Sequence, residues 1–211
     1  MQSFRQTLKD QTPLYVFVAV LFLVGVLFGA LMVNALSLEQ QQDMARHLNH
    51  FFINVQDSSE TMMQSSYWSI AGLHLKWIGL IWILGLSVIG LPGILILDFL
   101  KGVLIGFTVG YLVGQYSWTG LLFALVSIAP QNLVIIPMLM MCSVAAISFS
   151  LYIIRNRFLM HRGGSMVRPL TSYALITLCM VVLALCISSF ETWVTPAMMQ
   201  WITPMMVQNA L

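Results

Sequence analysis

The residues that most resemble metal ligands lie together in one polar segment of the chain. Asp43, His47 and His50 can share one face of a helix, and carboxylate and imidazole groups are common zinc ligands. No third strong ligand follows in fixed register, and a solvated helix face explains the same three residues. His74 and His161 are isolated. The sequence therefore predicts no metal site and no cofactor.

Catalytic patterns are also missing from the sequence. There is no Ser–His–Asp arrangement, no paired carboxylates, and no phosphate-binding or zinc signature. The three cysteines, Cys142, Cys179 and Cys186, lie in apolar runs, and an odd count without CxxC spacing argues against a disulfide framework. A net charge of +2 is too small to suggest nucleic acid. The chain is predicted not to be an enzyme.

Composition predicts the environment that these residues occupy. Of 211 residues, 59% are hydrophobic and 8% are charged, whereas a soluble domain carries about 25% charged residues. The apolar runs are long enough to cross roughly 30 Å of hydrocarbon, where backbone polar groups must be satisfied internally. Because the runs are unbroken rather than alternating, we expect helices. The fold class is all-α, a polytopic membrane protein with residues 1–211 as one integral membrane domain.

Five transmembrane helices are predicted. The first run is longer than the apolar part of a signal peptide, and we expect an uncleaved anchor. Gly90-Leu91-Pro92-Gly93 interrupts the second span, Asp98 and Lys101 mark an interface after it, and the third span ends in a turn near Ser117. No acidic residue is expected in a span interior. The spans are about 14–36, 77–97, 99–115, 132–154 and 170–190.

A break precedes the fourth span. Residues 120–130 are too few to cross, which indicates a re-entrant or interfacial half-helix, and Pro130 supports a break there. One long kinked helix is the alternative. Gln131 and Asn132 are expected to cap the two helix ends, and Pro137 follows. A discontinuous helix could also serve a small-solute or ion transporter, a channel or a permease-like subunit.

Orientation follows from the basic residues. One side would hold the N-terminus, the Asp98–Lys101 turn and a basic cytoplasmic loop, 155–168, which also suits contact with anionic lipids. The positive-inside rule then predicts a cytoplasmic N-terminus and an extracytoplasmic C-terminus, with Glu191 outside. The cytoplasmic side carries seven of the nine basic residues: Arg5, Lys9, Lys101, Arg155, Arg157, Arg162 and Arg168.

Glycines recur every four residues in the third span, at Gly102, Gly106, Gly110 and Gly114, and the first span contains Gly25 and Gly29. Such columns let another helix backbone approach closely, which favours association in lipid. The sequence leaves open whether that helix belongs to the same chain or to a second copy. A homodimer is predicted.

The segment 37–76 is the one sizeable polar stretch and is predicted to be an extracytoplasmic helical hairpin. Ser37 and Gln40 resemble a capping box. The first helix would carry an apolar stripe, and the second would expose two aromatic residues. The candidate partner-binding residues are Leu48, Phe51, Phe52, Tyr67 and Trp68.

Four stretches carry a resemblance to a known family. They are YVFVAVLFLVGVLFGALMVNAL at 15–36, WILGLSVIGLP at 82–92, FLKGVLIGFTVGYLV at 99–113 and APQNLVIIP at 129–137. In order, spacing and number of spans the chain resembles stage II sporulation protein M of endospore-forming bacteria. The resemblance covers nearly the whole chain.

The resemblance implies a mother-cell membrane protein of the sporulation septum that is needed for engulfment of the forespore. Members act with sporulation proteins D and P, which degrade peptidoglycan, and they recruit these hydrolases. That implies a non-enzymatic scaffold. Distant members of the wider membrane family carry a His-Gly pair and an acidic residue near the proline break. Here Gln131 and Asn132 stand at that place, which weakens any transport chemistry taken from those relatives.

Overall fold

The protein, in a computed structural model, is a bundle of α-helices. The backbone is described for residues 2–56, 60–87, 90–155 and 167–208, and the side chains for 11–47, 67–87, 90–155, 169–195 and 197–198. The helices are α1 (Gln2–Met32), α2 (Leu38–Gln56), α3 (Glu60–Leu86), α4 (Gly90–Ser127), α5 (Ala129–Ile153) and α6 (Val167–Gln208), with a short 3-10 helix, Val33–Ala35, after α1.

Five stretches are long and apolar enough to cross a membrane, as the sequence predicts. Their backbone hydrogen bonds close within each helix, which the hydrocarbon core requires. The all-α polytopic fold is therefore confirmed. The five stretches are Gln11–Ala35, Tyr67–Leu86, Gly90–Ser127, Ala129–Ile153 and Pro169–Thr195.

The boundary between the second and third spans differs from the prediction. α3 ends at Leu86 and α4 begins at Gly90, so the predicted spans 77–97 and 99–115 are wrong where they meet. The motif that was expected to interrupt a span starts a helix instead, because a proline in the first turn removes no helical hydrogen bond. Asp98 and Lys101 consequently lie inside α4 and not in a turn.

α4 reverses direction at Ser117, whose backbone is not helical (φ 48°, ψ −123°). Beyond it, Phe123 and Ala124 pack against Leu112. In a straight helix Leu112 and Phe123 would be about 16 Å apart, from the 1.5 Å rise per residue. Residues 118–127, called the half-helix below, are thus folded back on α4. The backbone stays in the helical region at Ile128, between the half-helix and α5, so the alternative of one long helix kinked near Pro130 stays open.

Successive spans run in alternating directions. α3 and α6 are antiparallel, since Tyr173 donates a hydrogen bond to the carbonyl of Trp82 while Glu191, at the other end of α6, reaches His74. α1 is parallel to the first limb of α4, as the glycine contacts described below require. The α3–α4 connection at Ser87 therefore lies at one end of the bundle, and Ser117 lies at the other.

α5 is the central helix of the bundle. In the most apolar 18-residue stretch of its span 56% of the residues are buried, against 17–28% in the corresponding stretches of the other four. The outward faces of α1 and α6 are apolar and exposed, as surfaces solvated by lipid must be. The core lies where α3, α4, α5 and α6 meet, and its most enclosed side chains include Ile78, Ile81, Ile94, Ile135 and Val144.

Candidate functional site

The glycines of the first and third spans pack α1 against α4 within one chain. A Cβ added at Gly29 would collide with the backbone at Val103, and one added at Gly106 with the backbone at Val26. Only glycine permits so close an approach of two helices. Gly25, Gly102 and Gly110 also face backbone of the other helix, and Gly114 has more room, with Val33 Cγ1 at 4.0 Å.

Asp98 occupies a buried position between α4 and α5. It is 5% exposed, and the hydroxyl of Ser143, itself fully buried, donates a hydrogen bond of 2.7 Å to Oδ1. The second carboxyl oxygen, Oδ2, has no hydrogen-bond partner among the described residues. A buried polar atom left in this condition carries a desolvation cost, which a structure retains where the group has a use.

A second polar contact joins α3 to α6. His74 Nε2 lies 3.0 Å from a carboxylate oxygen of Glu191, and both side chains are largely buried. The ammonium of Lys101 on α4 lies 5.3 Å from the centre of the Trp77 ring, a cation–π distance, and it interacts electrostatically with Glu191. Three helices therefore share one cluster of ionisable groups inside the apolar bundle.

These contacts correct the sequence analysis. Glu191 does not lie in an outer tail, His74 is not isolated, and the span interiors do contain acidic residues, Asp98 and Glu191. In the sequence, charge indicates a membrane interface, whereas the partners of these two groups lie far away along the chain. The available signal was the pair Asp98-x-x-Lys101 within an otherwise apolar run.

The helix break is closed by side-chain contacts. Asn132 Nδ2 donates to the carbonyl of Ile128, four residues earlier at the start of α5, at 2.8 Å. Gln131 instead reaches α6, where its Oε1 accepts a hydrogen bond of 3.4 Å from Thr195. Both prolines of this segment, Pro130 and Pro137, lie within α5.

The outer segment is fixed to the bundle at its start. Ser37 N–H donates to Gln40 Oε1 at 3.0 Å and Gln40 N–H donates to Ser37 Oγ at 3.3 Å, which is the predicted capping box. Tyr111, a buried residue of α4, donates a 2.9 Å hydrogen bond to the carbonyl of Gln41. The first turn of α2 is thereby held against α4.

The model of the family described as stage II sporulation protein M matches residues 18–196 of the chain. The chain belongs to this family. It is accordingly a sporulation-related membrane protein, of a family not known as a catalytic one. The comparison with curated proteins and that with solved structures gave no match.

In this member of the stage II sporulation protein M family, some residues of the predicted partner-binding surface and of the basic loop are not among the residues that the structure describes. The side chains of Leu48, Phe51 and Phe52 are among them, as are 156–166 of the basic loop. Of the other candidate contact residues, Tyr67 is half-buried and Trp68 is 66% exposed, with their rings edge to face at 5.4 Å.

The described side chains give no support to a metal site in the outer segment. The described side chains include no cluster of three His, Cys, Asp or Glu that could hold a metal ion. Asp43 forms an exposed ion pair with Arg46, one turn along α2, and His47 is exposed. The side chain of His50 lies outside the description.

Proposed function

We propose that this protein is the membrane scaffold of the engulfment machinery. It recruits and organises peptidoglycan hydrolases, sporulation proteins D and P, at the septal membrane on the mother-cell side. It has no catalytic role of its own, and it contacts membrane lipids and these partners. Family membership supports the sporulation role, and the anchored outer segment supports recruitment.

The contact from Tyr111 to Gln41 is the observation on which the proposal depends most. A recruiting surface that is attached by a flexible linker would concentrate a partner near the membrane without orienting it. Here a tyrosine that is 2% exposed binds the backbone of the first turn of α2, and the capping box fixes the entry into that helix. A hydrolase bound to α2 would therefore be held in one orientation to the membrane.

Trp68 supplies a further element of the contact surface. It lies at the outer end of the second span, where a large exposed aromatic side chain suits either a protein partner or the membrane interface. We assign it to the partner surface together with Leu48, Phe51, Phe52 and Tyr67.

Orientation forms part of the proposal: the N-terminus is cytoplasmic and the C-terminus is extracytoplasmic. Lys101 lies in a span and not in a turn, but the excess of basic residues on the proposed cytoplasmic side remains without it. The remaining basic residues of the cytoplasmic side are Arg5, Lys9, Arg155, Arg157, Arg162 and Arg168, which the positive-inside rule requires.

A homodimer also belongs to the proposal, with a surface other than the glycine column. That column is occupied by α1 of the same chain and is not free for a second copy. The mass of the detergent-solubilised particle, corrected for bound detergent, tests this part: two chains are expected, and a single chain would contradict it.

Transport through the helix break gains no support. Asn132 Nδ2 donates to the carbonyl of Ile128 and Gln131 Oε1 accepts from Thr195 of α6, so both amides have contacts within the protein. We therefore favour the scaffold function over the transporter function. Flux of ions into liposomes that contain only this protein would reverse that order.

The test is affinity purification of the tagged full chain from sporulating membranes after crosslinking, with mass spectrometry. Both hydrolases should be recovered, crosslinked within the outer segment between Ser37 and Trp68. Two variants, Trp68→Ser and the pair Phe51→Ser with Phe52→Ser, should insert normally and lose most of that recovery. Trp118→Ser is the matched control, because Trp118 is 75% exposed at the same end of the bundle but belongs to the half-helix.

Two results would contradict the scaffold. One is undiminished recovery of the hydrolases by the inserted Trp68 and Phe51–Phe52 variants, which would remove the proposed surface. The other is purification of the unchanged chain alone, or with a cytoplasmic ATPase, which would remove the recruiting role.

A further inference from the structure

We propose that Asp98 is a proton-binding site inside the membrane, at which Oδ2 takes up and releases a proton while Oδ1 stays bound to Ser143. This activity is separate from the recruitment of hydrolases and does not depend on it.

The two oxygens of Asp98 have unequal surroundings. Oδ1 accepts a hydrogen bond from the Ser143 hydroxyl, which it can do in the ionised and in the neutral carboxyl group alike. Oδ2 has no partner among the described residues although Asp98 is only 5% exposed. An ionised carboxylate with one hydrogen bond is costly in apolar surroundings, and protonation of Oδ2 removes that charge. The site is therefore built to change its protonation state on one atom.

A metal ion does not suit the same place. Hard cations require several oxygen ligands at once. Among the described contacts, the position offers the carboxylate and one hydroxyl, that of Ser143. The neighbouring residue Cys142 is buried and adds a thiol in place of an oxygen. A proton needs a single basic atom, and Oδ2 is that atom.

Hydroxyl groups lead from Asp98 toward one end of the bundle. Ser143 and Ser150 are seven residues apart and therefore share a face of α5, and both are fully buried. The hydroxyl of Ser150 donates a hydrogen bond of 3.1 Å to the carbonyl of Ser87, in the exposed α3–α4 connection. Asp98 itself lies about 12 Å along α4 from Gly90, at 1.5 Å per residue. The proton is accordingly exchanged with the side of the membrane that holds Ser87.

Other ionisable groups on the surrounding helices have their own partners or lie at a different level. His74 and Glu191 bind each other, and Lys101 interacts with Glu191 and Trp77. Cys142 is the group that interacts electrostatically with Asp98 itself, and it also interacts with two tyrosines. The titratable groups of the helices packed around the site are Tyr15 on α1, His74 on α3, Lys101 on α4, Cys142 on α5, and Tyr173 and Glu191 on α6.

The test is labelling of the purified full chain in lipid nanodiscs with dicyclohexylcarbodiimide, an apolar reagent that reacts with protonated carboxyl groups. Peptide mass spectrometry locates the adduct. We expect an adduct at Asp98 at mildly acidic pH and its progressive loss as the pH rises. Asp43, which is exposed and paired with Arg46 outside the spans, is the internal control and should stay unlabelled. In Asp98→Asn the adduct on that peptide should be absent.

Ser143→Ala separates this proposal from a merely structural role of Asp98. The variant removes the hydroxyl that stabilises the carboxylate, so its labelling should extend to a higher pH than that of the unchanged chain. An unaltered labelling profile in this variant would overturn the assignment of Ser143.

Three further results would overturn the proposal itself. The first is no adduct at Asp98 at any pH while the denatured chain is labelled there. The second is labelling that does not change with pH, and the third is protection by sodium chloride that choline chloride fails to give, which would assign the site to a metal cation.

Discussion

Nε2 of His74 lies 3.0 Å from a carboxylate oxygen of Glu191, although the two residues are 117 positions apart in the chain. Both belong to stretches that can cross the membrane, and both side chains are largely shielded from the surroundings. A charged or polar group at that depth needs a partner within the protein. The pair therefore fixes the position of α6 against α3.

Removal of one partner from this pair should destabilise the protein strongly. Glu191→Ala leaves His74 without its acceptor and Lys101 without its nearby negative charge, and breaking a buried pair costs about 3–5 kcal/mol. His74→Ala should also lower the midpoint of thermal unfolding. The double variant should lose less than the sum of the two, since the residues interact directly. Tryptophan fluorescence of the protein in detergent is the measurement.

The exposed pair of Asp43 and Arg46 is the matched control for that experiment. Its side chains are 57% and 72% exposed, and an exposed pair one turn apart contributes at most about 1 kcal/mol. Asp43→Ala should therefore leave the unfolding midpoint nearly unchanged. Equal losses in the Asp43 and Glu191 variants would mean that the His74 contact does not hold the bundle together.

The contact between α1 and α4 should not tolerate a single methyl group. A Cβ at position 106 would collide with the backbone of Val26, and backbone cannot move aside as a flexible side chain can. Gly106→Ala should cost about 1–3 kcal/mol, the usual range for overpacking, and Gly106→Leu should cost more. The readout is the fraction of protein that stays monodisperse in detergent after heating.

Gly79 is the control position for this prediction. It lies in the second span and a Cβ added there meets nothing within 4 Å. Gly79→Ala should be neutral or stabilising, because alanine is the better helix former. If Gly106→Ala behaved like Gly79→Ala, the close approach of the two helices would be wrong.

Much of the fold follows from sequence because lipid imposes simple rules. Length and hydropathy predict five spans, and the turn near Ser117 is also predicted from the sequence. The capping box at Ser37 was visible because its partners are three residues apart. These features depend on local pattern.

What the sequence did not reveal depends on distant partners. The sequence alone places Asp98 at a membrane interface. Its burial depends on α5, where its partner Ser143 lies 45 residues away in the chain. The glycine column indicated a close helix contact, while the choice between α1 and a second copy rested on three-dimensional arrangement. Local pattern carries no information on which helix face meets which.

The proposed orientation predicts which single cysteines can be labelled from outside. In a variant whose native cysteines are replaced by alanine, Ser37→Cys should react with a membrane-impermeant maleimide on intact protoplasts. Ser87→Cys should react only after permeabilisation, because it lies at the opposite end of the bundle. Both positions are exposed, so access alone decides the result. The reverse pattern would put the N-terminus outside.

Glycine in place of Ser117 should stabilise the protein. Its φ of 48° is a conformation that L side chains adopt at a cost, of the order of 1 kcal/mol, and glycine adopts it freely. Ser117→Gly should raise the unfolding midpoint, and Ser117→Val should lower it, since a β-branched residue is least compatible with positive φ. Ser69→Gly is the control, because Ser69 is an exposed residue of regular helix in α3, where glycine should destabilise by roughly 0.5 kcal/mol. Thermal unfolding of the three variants in one detergent gives the comparison. A lower midpoint for Ser117→Gly would mean that the reversal between α4 and its half-helix does not use this backbone conformation, and the folded-back position of residues 118–127 would have to be redrawn.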